Sequence, residues 1–314
     1  MVFNTGAALL DAIVLAVVYR EEEGTYGYKI TQDVREENLK TFKASLDVVT
    51  NLNNWHAFMN LVASAGYLKG SLVASSNAVV FSYVLYLIGK YDYKVSSVEL
   101  QKIIRKWIFM STITGFYTGS TESEVEKQFA DLRDVHNADE FVAYLNSVIA
   151  NRFTDDYFKY SLPAELNSSS ATSPAWYGYV AAINVLGTPM LFSTVPLSQY
   201  FVLGTSGEKN SVDKHHIFPK HYLEEIGYDN DRDRNQIANF TYLDYATNID
   251  ISDAPPAEYV GRYRDKLDEK GYKLACDQNA LPENFEQLSY PEFLSQRRLL
   301  MAQIVKKAYH ELNK

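Results

Sequence analysis

The chain is poor in cysteine, short of positive charge and without a long apolar run. Its single cysteine, Cys276, excludes a disulfide framework and any cysteine-built zinc knuckle, and it fits a reducing cytoplasm. No segment approaches the roughly 20 apolar residues that a membrane-spanning helix requires. The best candidates, Ala7 to Tyr19 (interrupted by Asp11) and Val79 to Ile88, read as buried helices. No basic residues precede the first of them, so it makes a poor signal peptide. Lysine and arginine number 30 against 39 aspartates and glutamates, a net charge of −9 at pH 7. That balance argues against a protein that coats nucleic acid non-specifically, while leaving room for a local basic cluster or a bound cation. A nucleotide-binding P-loop is missing too: Gly204-Thr205-Ser206-Gly207-Glu208-Lys209 has neither the spacing nor the ending.

What remains is a chain that should fold. With 314 residues and 46% apolar content, it can build one large or two ordinary hydrophobic cores. Its first half reads as helical. Ser96-Ser97-Val98-Glu99 has the pattern of a capping box, and Leu100, Ile103, Ile104, Trp107 and Ile108 follow at helical spacing. A second start reads at Ser123 to Glu126, ahead of Phe129 and Leu132. A third reads at Asn137 to Glu140, ahead of Phe141, Leu145, Val148 and Ile149. Gly115 to Ser120 is a break between helices. Three capped amphipathic helices in succession imply a bundle.

Asn167 to Pro174 is the most linker-like stretch, which divides the chain into a helical domain over 1–165 and a second domain over 166–314. Trp176 to Leu186 is a further helix candidate, and Gly204 to Asn210 a polar loop. The chain closes on an expected helix from about Glu292 to Leu312, with Pro291 at its start and Leu299, Leu300, Ile304 and Ala308 as its apolar face.

The densest chemistry lies at Asp213-Lys214-His215-His216-Ile217-Phe218-Pro219-Lys220, with Asn239 and Asn248 downstream. Val212 to His216 reads as a short strand, followed by a small helix around Tyr222 to Ile226. A second strand is expected over Asn239 to Tyr245, then a helix from about Ala246 that stops before Pro255-Pro256. Side chains alternate across a strand, so His215 and His216 should do different work. Histidine, with an unperturbed pKa of about 6.5, can serve as a base near neutrality. The carbonyl oxygen of Asn248 can face a cation held by one of the pair.

Strand, loop, strand and helix with this spacing resembles the HNH (ββα-metal) nuclease module. The resemblance implies an endonuclease, a hydrolase of DNA phosphodiester bonds, whose product carries a 5′-phosphate. It implies His216 as general base, with Asn239 bracing the loop and orienting that base. His215 and Asn248 would be ligands to one Mg2+ or Mn2+, with Zn2+ and Ni2+ as weaker alternatives. Asp213 would orient a ligand directly or through water. Lys214, Lys220 and Arg234 are candidate phosphate contacts, with Arg232 beside them. The alternating Asp231-Arg232-Asp233-Arg234 reads equally well as a self-paired, solvated loop. His221 reads as a surface residue or a phosphate contact, and His56, His136 and His310 as structural or surface residues.

A narrower similarity runs through Asn235-Gln236-Ile237-Ala238-Asn239-Phe240-Thr241-Tyr242-Leu243-Asp244 to Pro255-Pro256-Ala257-Glu258-Tyr259. It resembles the C-terminal half of GmrSD-like, DGQQR-type restriction and phage-defence proteins, and covers about Val212 to Val260. A weaker similarity covers Leu100 to Leu132, through Arg105-Lys106-Trp107 and Gly115 to Ser120. Such proteins join a nucleotide-binding domain to a helical region and an HNH domain, but the Asp-Gly-Gln-Gln-Arg motif is absent from this chain. The expected partners are therefore DNA and a nucleotide-binding sensor domain or subunit, in the cytoplasm and away from any membrane. The competing expectation is a silent or partner-dependent assembly module that docks such a sensor.

Overall fold

The computed structural model describes residues 32–202 and 212–314. The expected helix over Ala7 to Tyr19 and the loop from Gly204 to Asn210 lie outside them. The described chain is mainly helical, with one small sheet. It forms two compact units: residues 32–65 and 73–152 belong to the first, and 66–72 and 153–314 to the second. The division falls at Arg152–Phe153, so the polar stretch from Asn167 to Pro174 lies inside the second unit.

The first unit contains, among the described residues, α1 (Gln32–Val49), α2 (Leu52–Ser64), α3 (Ser76–Tyr91), α4 (Ser97–Ile113), α5 (Thr121–Leu132) and α6 (Ala138–Arg152). Its core is the set of apolar faces legible in the sequence. Leu100, Ile103, Ile104, Trp107 and Ile108 of α4 are all buried, as are Phe141, Leu145 and Ile149 of α6. The α3 stretch from Val79 to Leu87 is buried on every side. The Asn137 start holds: its Oδ1 accepts from the Glu140 N–H at 3.0 Å. At α4 the box is only half formed. Ser96 Oγ accepts from the Glu99 N–H, but Glu99 Oε2 accepts from the Ser96 hydroxyl rather than from the backbone. Helix α5 begins at Thr121, two residues before the expected Ser123.

The second unit runs through a π-helical turn (Tyr157–Ser161), α7 (Leu162–Glu165), α8 (Pro174–Val185) and α9 (Leu197–Val202). It continues with β1 (Val212–His216), α10 (Lys220–Glu225), α11 (Asp231–Arg234), β2 (Phe240–Asp244) and α12 (Tyr245–Ile251). It ends with α13 (Pro256–Gln278) and α14 (Tyr290–Glu311). The strands pair antiparallel, with His216 opposite Phe240 and His215 opposite Thr241. Trp176 of α8 lies against both Phe240 and Tyr242, so the hairpin rests one face on that helix.

Two elements differ from expectation. Helix α13 has no counterpart among the expected elements; Tyr259, Tyr263 and Tyr272 give it a buried aromatic face, and it kinks at Asp268, where φ is 56°. Helix α14 is present, but its buried face differs in part. Ile304 and Ala308 are buried as expected, but Leu299 and Leu300 are 49% and 37% exposed, and Phe293, Leu294, Met301 and Val305 complete the buried face around Arg297. A charge at the centre of the buried face misdirects any reading by apolar periodicity. Arg297 is 0% exposed and donates to the carbonyls of Ala238 at 2.7 Å and Asn279 at 3.4 Å.

The segment 66–72 packs against α8 through Gly66, whose φ is +91° and whose missing Cβ leaves room for the Ala181 carbonyl. A side chain there meets both backbone strain and a collision with main chain. Gly66→Ala should therefore destabilise the protein by at least about 2 kcal/mol, read as a lower midpoint in urea unfolding.

Candidate functional site

The hairpin and α12 bring five of the predicted residues, Lys214, His215, His216, Lys220 and Asn248, to one cleft, whose lining also includes Asp253. The strand separates the histidines as expected. His216 lies with Lys214 on the face of Phe240: its ring meets Phe240 edge-on at 4.8 Å, and Lys214 Nζ sits 4.2 Å from the centre of the same ring. His215 is buried and reaches α12, where its Nδ1 faces Asn248 Oδ1 at 2.8 Å. An amide oxygen only accepts, so Nδ1 carries the proton of this pair. Both imidazoles still border one cleft, because β1 ends at His216 and the chain turns through Phe218-Pro219.

Helix α12 is set in place by its cap. Asp244, the last residue of β2, accepts from both the Thr247 N–H at 2.8 Å and its hydroxyl at 2.9 Å. That cap starts the helix directly off the strand and carries Asn248 to His215. Beyond Ile251, Ser252 takes a φ of 50° and the chain brings Asp253 to the cleft wall. Nothing in the spacing of the sequence marks Asp253 as a cleft residue.

Asn239 lies in the 3-10 turn before β2 and is 0% exposed. Its Oδ1 accepts from the Phe218 N–H at 2.8 Å, while Nδ2 donates to the Phe218 carbonyl at 2.9 Å and the Arg234 carbonyl at 3.3 Å. It braces the loop after β1 but makes no hydrogen bond to His216. The residue that does is Asn235, whose Oδ1 is 3.0 Å from His216 Nε2. Its position in the asparagine-rich string was legible, but its contact was not.

Arg234 is placed differently from the expected phosphate contact. It is buried, paired with Glu224 and Asp231, and away from the cleft lining. Lys220 stands 3.8 Å from Asp231, and Lys214 faces the cleft. Thus only part of the alternating 231–234 segment is self-paired: Arg232 is exposed. His221 is exposed and 3.4 Å from Glu225. His56, His136 and His310 are exposed and outside the cleft. Asp213 pairs with Leu243 through its backbone, and its side chain lies outside the described set.

Two lysines, Lys214 and Lys220, and one carboxylate, Asp253, border the cleft. Burial, more than any other cause, pushes the His216 pKa down to about 4; the charge of Lys220 adds to this, and the Asn235 hydrogen bond opposes it. Burial also lowers the pKa of Lys214, helped by the neighbouring Lys220 charge. His216 is therefore held neutral, as a proton acceptor must be. Among the described residues, no group of three or more His, Cys, Asp or Glu side chains is placed to hold a metal ion. The pair on offer to a cation is one imidazole and one carboxamide, His215 with Asn248. No described helix is long and apolar enough to cross a membrane.

No family model matches the chain, and no solved structure matches it. One curated relative is an uncharacterized protein of Methanocaldococcus jannaschii, 27% identical over 158 residues. The match covers 50% of this chain and 24% of that protein, so the chain spans about a quarter of its relative's length.

Two outcomes follow from this geometry. Asn239→Ala removes three buried hydrogen bonds and strands the Phe218 amide, so unfolding free energy should drop by about 2–4 kcal/mol in denaturant titration. For His216, the folded pKa of about 4 lies below the usual 6.5, so the unfolded chain takes the proton first as pH falls. Its contribution to stability is complete above the unfolded pKa and is lost between there and about pH 4. NMR titration should find the His216 ring neutral until pH approaches 4; a midpoint near 6.5 would contradict the burial argument.

Proposed function

We propose that the chain is a divalent-metal-dependent endonuclease of the HNH type that cleaves DNA in restriction or anti-phage defence. One observation carries the reading. In a single cleft, an imidazole and a carboxamide face each other at 2.8 Å beside a second, neutral imidazole and two lysines. The order strand, loop, strand, helix supports it, as does the placement of His215 and His216 on opposite faces of β1.

His215 Nδ1 and Asn248 Oδ1, which share a hydrogen bond at 2.8 Å, converge closely enough to face one hard cation in place of the proton. His215, on losing its Nδ1 proton to the other ring nitrogen, and Asn248 would hold Mg2+ or Mn2+, with water completing the shell. Such a cation supplies charge neutralisation at the scissile phosphate and the leaving oxygen. His216, with Nε2 facing Asn235, keeps its lone pair on Nδ1 and takes the proton from the attacking water. Lys214 and Lys220 receive the phosphate backbone. Asn239 keeps the loop closed beneath them rather than orienting the base.

A second reading is a module that acts only when joined to a nucleotide-binding sensor. The net charge of −9 supports it, since it gives poor unaided attraction to DNA.

The deciding experiment is plasmid cleavage with Mg2+ or Mn2+. His216→Ala should slow the reaction by about 10²–10⁴-fold. His215→Ala and Asn248→Ala should raise the metal requirement about 10–100-fold and recover partly in excess metal. Equal cleavage by wild type and His216→Ala sinks the reading. Activity that emerges only with a sensor protein present favours the second one.

A further inference from the structure

We propose that Asn235, rather than Asn239, is the positioning residue for His216, setting both the tautomer and the orientation of its ring. The inference rests on the reading of His216 as the base. Its Nε2 lies 3.0 Å from Asn235 Oδ1, and a carboxamide oxygen only accepts. The proton of the neutral ring is thereby held on Nε2 and the lone pair on Nδ1. The Phe240 ring, 4.8 Å away and at 82°, limits rotation about the side chain and leaves the hydrogen bond to choose between the two ring flips.

Asn235 can impose that choice because its neighbours are fixed. On one side, the Tyr290 hydroxyl lies 2.9 Å from the Asp233 carbonyl and 3.3 Å from that of Arg234, and the Arg234 guanidinium is held by Asp231 and Glu224. On the other, the Ile237 N–H donates to the Ser168 carbonyl at 2.8 Å, and Arg297 donates to the Ala238 carbonyl at 2.7 Å. The Asn235 amide itself closes α11 on the Asp231 carbonyl at 2.9 Å. The carboxamide is thus presented to His216 from a frame set before any substrate arrives, and reorganises little during proton transfer. Asn239 is not available for the task, since the Phe218 N–H takes its oxygen.

The test separates this from a purely structural role. Long-range proton–nitrogen NMR of the histidine rings near neutral pH should show His216 with Nε2 protonated in the wild type. Asn235→Leu, which has no acceptor, should lose that single form to a mixture of tautomers, and Asn235→Asp should restore it. Asn235→Ala serves as the second acceptor-free variant if leucine disturbs folding. In cleavage assays the acceptor-free variants should lower kcat about 10–100-fold with KM unchanged, and the aspartate should recover most of the loss. A tautomer that shifts and is restored supports the assignment even if no strand is cut, a result that would count against the nuclease reading alone. An Nε2 proton that persists in the leucine and alanine variants overturns it, as does failure of the aspartate to restore the wild-type form.

Discussion

The second unit depends on one buried carboxamide. Asn239 has no contact with water, yet its oxygen and its nitrogen both find backbone partners, on Phe218 and Arg234. Those partners lie far apart on the one connection between the strands, Phe218 just after β1 and Arg234 at the end of α11. A hairpin joined by more than twenty residues has no turn chemistry to hold its register; here a side chain ties the two loop ends together. The Ile217 N–H adds a bond at 2.9 Å to the Asn239 carbonyl. Both histidines hang from the strand that this tie secures.

The two long helices at the end of the chain act on the same loops from outside. Tyr259 of α13 donates to the Ile217 carbonyl at 2.8 Å, and Tyr263 reaches Asp250 of α12 at 2.8 Å. Tyr290 and Arg297 of α14 donate to carbonyls between Asp233 and Ala238. Tyr259, Tyr290 and Arg297 are long side chains whose polar tips meet backbone oxygens, whereas Tyr263 donates to the exposed carboxylate of Asp250. Apolar packing supplies the bulk of the core, but it is indifferent to small displacements along a helix. Directional bonds from tyrosine and arginine remove that freedom, and a cleft that must hold atoms to fractions of an ångström benefits from them.

Much of the arrangement could be read directly from the chain. Leu100, Ile104 and Trp107 announced α4 through their spacing, Asn137 announced the start of α6, and the β-favourable residues near Tyr242 announced β2. Periodicity failed where a polar residue occupies a core position. On α14, Arg297 takes a core position, and of the expected face Ile304 and Ala308 are buried while Leu299 and Leu300 lie outward. Helix α13 was hidden for a related reason: its buried face is built of tyrosines, which sequence patterns count as easily for surface as for core.

By itself the sequence determined the helical character of the chain and the alternation that sets His215 apart from His216. It also determined the spacing that lets Asn248 follow β2 within one turn of helix. These are properties of short stretches, governed by local backbone geometry. Only the tertiary structure decided which asparagine touches which ring. Asn235 and Asn239 are four residues apart and chemically identical, and no local rule distinguishes them. The distinction arises because Phe218 and the 3-10 turn bury one against main chain, while the end of α11 turns the other toward His216. The same holds for Arg234, whose charge was legible but whose capture by Glu224 and Asp231 depends on how α10 and α11 meet.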